Sequence, residues 1–143
     1  MSFDIGSIWY ADNYWVGFKI GGTNTTVTKG MVVQLNSDGT VTPTSGASRY
    51  AIGVALASGT TGMTIPVALR GIVWVTANGT ITAGSFVISD ANGGVKAFAD
   101  FSAPASYDQT SMQTQFNKIG TVLGIALDSA TAGGQLRILL TDF

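Results

Sequence analysis

Two stretches of the 143-residue chain are near copies of each other, and no other feature limits the possible folds as much. IGVALASGTTGMTIPVAL, from Ile52 to Leu69, aligns without a gap with LGIALDSATAGGQLRILL, from Leu123 to Leu140, 71 positions on. Gly53/Gly124, Ala55/Ala126, Leu56/Leu127, Ser58/Ser129, Thr60/Thr131, Gly62/Gly133 and Leu69/Leu140 are identical, and Ile65/Leu136 and Val67/Ile138 are conservative. Each copy reads as a strand, a turn of small residues and a second strand. The match extends upstream, where Lys29-Gly30-Met31-Val32-Val33 corresponds to Ala83-Gly84-Ser85-Phe86-Val87, each followed by a turn and a Val (Val41, Val95). Two copies close on each other where a solenoid would propagate. The expectation is therefore an all-β domain, a compact barrel of two similar units related by an approximate twofold. Gly30, Gly53, Gly84 and Gly124 would be its fold-defining turn positions.

The turn chemistry supports an all-β reading. MVVQL-SDG-TVT, IVWVT-ANG-TIT and SFVIS-DANGG-VKAF each place Asp-Gly, Asn-Gly or Gly-Gly between apolar runs, at hairpin spacing. Gly30 and Gly53 are 23 residues apart, but Gly84 and Gly124 are 40 apart, so the second copy carries 17 extra residues. That makes residues 98–118 an insertion, and its Gly- and Pro-free part predicts one short helix over 106–118, capped by Ser106. The chain divides into an aromatic-rich N-terminal arm, 1–28, and a β domain, 29–143, with repeat copies at about 29–69 and 83–140.

Composition narrows function mainly by exclusion. There is no Cys or His, and all eight acids are Asp. Ser–His–Asp and Cys–His sites are therefore impossible, and general bases shrink to Asp and Lys. The Asp residues sit in turns (Asp38, Asp90) or beside apolar runs (Asp100, Asp128, Asp142), where turn Asp has a backbone role. No S-x-x-K, Walker loop or calcium-loop ladder occurs. The chain reads as a non-enzyme with no metal and no cofactor. A net charge of −1 gives no electrostatic footprint for nucleic acid. No stretch of about eighteen apolar residues would cross a membrane, and the N-terminus lacks the pattern of an export signal. Charged residues make up only 10%, which fits a surface taken up by partners or one covered in hydroxyls.

Six of the fourteen aromatics lie in the first 18 residues. Aromatics supply large contact area at interfaces. Phe3, Ile5, Ile8, Trp9, Tyr10, Tyr14 and Trp15 are the candidate contacts with another chain, the alternative being a first strand, around Trp15 to Phe18, folded on the protein's own core. Trp74, inside IVWVT, reads as a core position, with an exposed binding aromatic as the alternative.

The ordered set of an aromatic N-terminus, KGMVVQLNSDGTVTPT, the run from Tyr50 to Val95, and KIGTVLGIALDSATAGGQLRILL resembles the capsid decoration, or cement, proteins of tailed phages. Within these it is similar to a group once known only as a domain of unknown function and related to lambda-like head decoration proteins. The resemblance covers about residues 29–141, and it departs where Met31 and Ser85 stand in place of the acid that often follows the glycine. It implies a β-tulip module on the outer surface of the mature head, made in the host cytoplasm, often a homotrimer or other homo-oligomer. Such a module stabilises the shell by bridging major capsid subunits. A receptor- or glycan-binding virion module, using Trp74 and the insertion, is the alternative.

Overall fold

The computed structural model describes residues 14–98 and 108–140. The elements are β1 (Tyr14–Lys19), β2 (Thr26–Val27), β3 (Val32–Leu35), β4 (Val41–Pro43), β5 (Ala51–Ala55), β6 (Gly59–Thr60), β7 (Thr64–Thr76), β8 (Phe86–Ser89), β9 (Val95–Ala97), α1 (Gln109–Ile119), β10 (Val122–Ala126) and β11 (Gln135–Leu140). A short 3-10 turn, Ala91–Gly93, joins β8 to β9. Nine strands form one sheet in the order β4-β3-β5-β7-β11-β10-β8-β9, with β1 also on β7, while β2 and β6 pair separately. The fold is all-β.

The duplication is carried in the strand order and the register. The first half runs β4-β3-β5-β7 and the second β9-β8-β10-β11. Val33 faces Gly53 and Gln34 faces Ala51 across a bulge; Val87 faces Gly124 and Ile88 faces Val122 across the same bulge. Ala55 pairs with Val67, as Ala126 pairs with Ile138. The Gly30 N–H donates to the Ala55 carbonyl at 2.8 Å, and the Gly84 N–H to the Ala126 carbonyl at 2.8 Å. Both glycines have positive φ, +93° and +90°, where a side chain is strained. Strand β7 belongs to both halves, joined at Gly71 (φ +110°). Its first part pairs with β1 and β5, its second with β11.

Gly53 and Gly124 have another role. They lie inside β5 and β10 and not in turns, and a Cβ on either would run into a backbone carbonyl, that of Ala68 or Leu139. Close strand approach, rather than turn conformation, excludes a side chain there.

The barrel expectation is also corrected: the sheet is an open, strongly curled half-barrel. Its end strands, β4 and β9, have three residues each and do not pair with each other. Stacking of the halves covers one apolar face of each. Ile20, Val27, Val33, Val41, Ala55, Ile65 and Val67 form one core. Their counterparts Ala77, Ile81, Val87, Val95, Ala126, Leu136 and Ile138 lie in a second core, together with Val32, Val54 and Ala68 from the opposite face of the first half. The halves thus pack front to back. A twofold would give equivalent residues equivalent surroundings, which these do not have.

The insertion carries the only α-helix among the described residues. It begins later than the sequence indicated, because Asp108 caps it: its carboxylate accepts from the Thr110 N–H (3.3 Å), the Ser111 N–H (3.2 Å) and the Ser111 hydroxyl (2.7 Å). Those bonds hold the Asp108 carboxyl below its usual range, the Ser111 hydroxyl contributing most. Ser106 lies outside the described residues.

Candidate interaction surface

Strand alternation fixes which side chains of the second half point outward. In β7, Val73 and Val75 are buried while Trp74 is 58% exposed, so the core position expected for Trp74 is corrected. Trp74 lies opposite Arg137 on β11. The Arg137 guanidinium sits 5.9 Å from the centroid of the Trp74 ring, within cation–π range. Its Nε and one terminal nitrogen donate to the two Asp128 carboxylate oxygens, each at 2.9 Å, a bidentate pair. The Arg137 backbone N–H donates to the same carboxylate at 3.0 Å. Donation from the Arg137 side chain, then from its backbone, lowers the Asp128 pKa to about 2, and the pairing raises that of Arg137. The indole is thus held against a fixed ion pair on an open sheet face.

An apolar row runs beside this cluster. The register sets Ile72 opposite Leu139, Leu139 opposite Ile125, and Ile125 opposite Phe86. Phe98 adjoins its end through its N–H to the Phe86 carbonyl (2.9 Å). Phe86 is 44% exposed, Leu127 is also exposed, and Ile125 and Leu139 are half-buried. A solvated face of an antiparallel sheet is ordinarily polar.

Of the residues singled out from sequence, Tyr14 and Trp15 open β1, opposite Arg70 and Ala68, and are 61% and 58% exposed. They stand at the start of the described domain, and Tyr14 lines a groove with Leu69, Val122 and Leu123. Phe3, Ile5, Ile8, Trp9 and Tyr10 lie outside the described residues. Sequence reading missed the Trp74–Arg137–Asp128 cluster, although a signal was present. All three stand where the copies differ, the first having Gly17, Pro66 and Ala57 at the equivalent positions. Among the described residues no group of three or more His, Cys, Asp or Glu is placed to hold a metal ion, and no helix is long and apolar enough to cross a membrane.

A β domain with outward aromatics and an apolar sheet face is built for contact with other macromolecules. Residues 19–141 match the model of the phage cement protein family, and the chain belongs to that family. It is a structural phage virion protein, not an enzyme. The fold is similar to a solved structure described as the head fiber gp8.5 N base in bacteriophage phi29, with a TM-score of 0.60 and 14% sequence identity. That likeness covers 90% of this chain and 95% of the other. No curated protein matches the sequence.

Proposed function

We propose that the protein binds the outer surface of the mature head and stabilises the shell by bridging neighbouring major capsid subunits, as a homotrimer or other homo-oligomer. Family membership across 19–141 supports this reading. The observation that carries it to particular residues is the exposure of Tyr14 and Trp15, where the described domain meets the aromatic N-terminal segment. Phe3, Ile5, Ile8, Trp9 and Tyr10, which precede these two in the sequence, are the proposed contacts with the capsid or an adjacent copy. One general mode of such contact is addition of a strand to an exposed sheet edge, anchored by aromatic side chains. The protein, made in the host cytoplasm, acts by mass action: binding only the mature shell stabilises that state, by about 2.7 kcal/mol per site at a hundredfold excess over Kd. Neither nucleic acid nor a membrane takes part.

The exposed Trp74 supports a second reading, a receptor- or glycan-binding module, since an open indole offers a stacking surface. The Arg137 guanidinium stands 5.9 Å from the centroid of that ring, within cation–π range of one face.

Deleting residues 2–12 tests the assignment. The expected product is a folded domain that binds isolated mature heads at least thirtyfold more weakly, since losing one aromatic hot spot costs about 2 kcal/mol or more. Unchanged binding would assign the contact to another surface, and an unfolded product would make the segment part of the core.

A further inference from the structure

The way the first half docks on the second leaves matching surfaces at opposite ends of the chain. The back of the first half, Val32, Val54 and Ala68, is buried in the second half's core, with Leu56 packed against it. The equivalents on the back of the second half are Phe86, Ile125, Leu139 and Leu127. They carry the same apolar character, three of the four in larger side chains, and lie exposed or half-buried.

The receiving side repeats as well. In the second half Val73, Val75, Leu123 and Leu140 are buried where the first half's back meets them. Their first-half equivalents are Val16, Phe18, Ile52 and Leu69. Val16 is exposed and the other three half-buried. Beside that flank a groove opens between Ile52, Leu69 and Arg70 of the first half and Val122, Leu123 and Leu140 of the second.

Two glycines tell the same story. A Cβ on Gly30 would meet the Trp74 carbonyl at 3.5 Å across the internal seam, whereas one on its counterpart Gly84 would meet nothing. Gly93 packs on Met31 across the seam, whereas its counterpart Gly39 is open.

We infer that a second copy of this chain docks head to tail, the back of its neighbour's second half (Ile125, Leu127, Leu139) seating on the front of its own first half (Val16, Ile52, Leu69). The contact repeats between chains the packing already made within one. It is heterologous, so each chain keeps one surface free for the next copy, and the assembly closes into a ring or extends as a filament. This deepens the homo-oligomer part of the proposed function and names its surfaces, but needs no capsid.

The test is a complementation of masses by light scattering after size exclusion. The wild type should run as a multiple of 14.7 kDa. Ile125→Lys, which spoils only the back, and Val16→Lys, which spoils only the front, should each run as single chains. Mixed one to one, they should recover a species of two chains and no more, because one intact front meets one intact back. That recovery also shows both variants to be folded; Leu139→Lys and Leu69→Lys are substitutes should either fail a thermal melt. A wild type that stays a single chain well above micromolar concentration would overturn the inference, as would single variants that still assemble or a mixture that does not. Assembly gained only after deleting residues 2–12 would assign the groove to the chain's own N-terminus and also overturn it. Head binding is scored separately: a wild type that binds heads as single chains refutes this interface alone, and one that assembles but ignores heads refutes the capsid reading alone.

Discussion

Replacing Gly53 with Ala adds one methyl group where there is no space for it. The new Cβ would overlap the Ala68 carbonyl and lie 3.1 Å from the Val67 Cγ1. Strand β5 sits between β3 and β7, so relief requires moving it away from β7, where Val54 pairs with Ala68 and Ala55 with Val67. Overpacking of this kind costs about 1–3 kcal/mol, and each weakened ladder hydrogen bond adds about 1 kcal/mol. A loss of about 3 kcal/mol is expected. Unfolding entropy of about 2.1 cal/mol/K per residue gives roughly 0.3 kcal/mol per degree for 143 residues, hence a fall of about 10 °C in Tm. Gly124→Ala, whose Cβ would overlap the Leu139 carbonyl, should cost about as much. Gly79→Ala is the control, because nothing lies within 4 Å of that position. Calorimetry on the three variants decides the matter. If Gly53→Ala melted within about 2 °C of the control, the close approach of β5 to β7 would be refuted.

Asp128 links the surface cluster to pH. Its folded pKa of about 2 lies below the ordinary 3.8, so its stabilising contribution is present in full above pH 3.8 and is lost as pH falls through about 2. The Tm gap between the wild type and Asp128→Asn should therefore be constant from pH 5 to 7 and shrink on acidification through that window. A gap that widens in acid would contradict the pairing with Arg137. Asp108→Ala removes the α1 cap and should weaken the first turn of the helix. The loss should appear as faster amide exchange over 110–114 with little change in global Tm, and unchanged exchange would show that the cap is not needed.

Much of the fold was written in the repeat. Gly30 and Gly84 marked equivalent strand entries, and the Asp38-Gly39 and Asn92-Gly93-Gly94 turns marked equivalent hairpins, because positive φ leaves few residue choices. The 17-residue excess of the second copy was legible from spacing alone. What escaped was tertiary. Tyr14–Lys19 is the register counterpart of the second part of β7, yet YWVGFK and IVWVT share only an apolar phase, which identity matching does not detect. In Ile72-Val73-Trp74-Val75 both faces of the strand are apolar, so period two gave no indication that Trp74 points outward. Closure of a sheet depends on whether its end strands meet, and nothing in the β4 and β9 sequences encodes that. The front-to-back stacking was visible only in retrospect. Val32-Val33, Val54-Ala55 and Val67-Ala68 are apolar on both faces because both faces are buried. Of the residues proposed from sequence as contacts, Tyr14 and Trp15 fall within the described residues and are exposed. The Trp74–Arg137–Asp128 cluster lay hidden in the positions where the copies disagree.

The most direct test of the capsid assignment is a reconstruction by electron cryomicroscopy of mature heads stripped of this protein, imaged before and after adding it in excess. The expected result is new density on the outer surface, spanning the boundary between neighbouring major capsid subunits, with the fitted β domain directing Tyr14 and the preceding residues toward the shell. Heads that remain bare at saturating protein, or density confined to a single subunit or to the inner surface, would contradict a cement role.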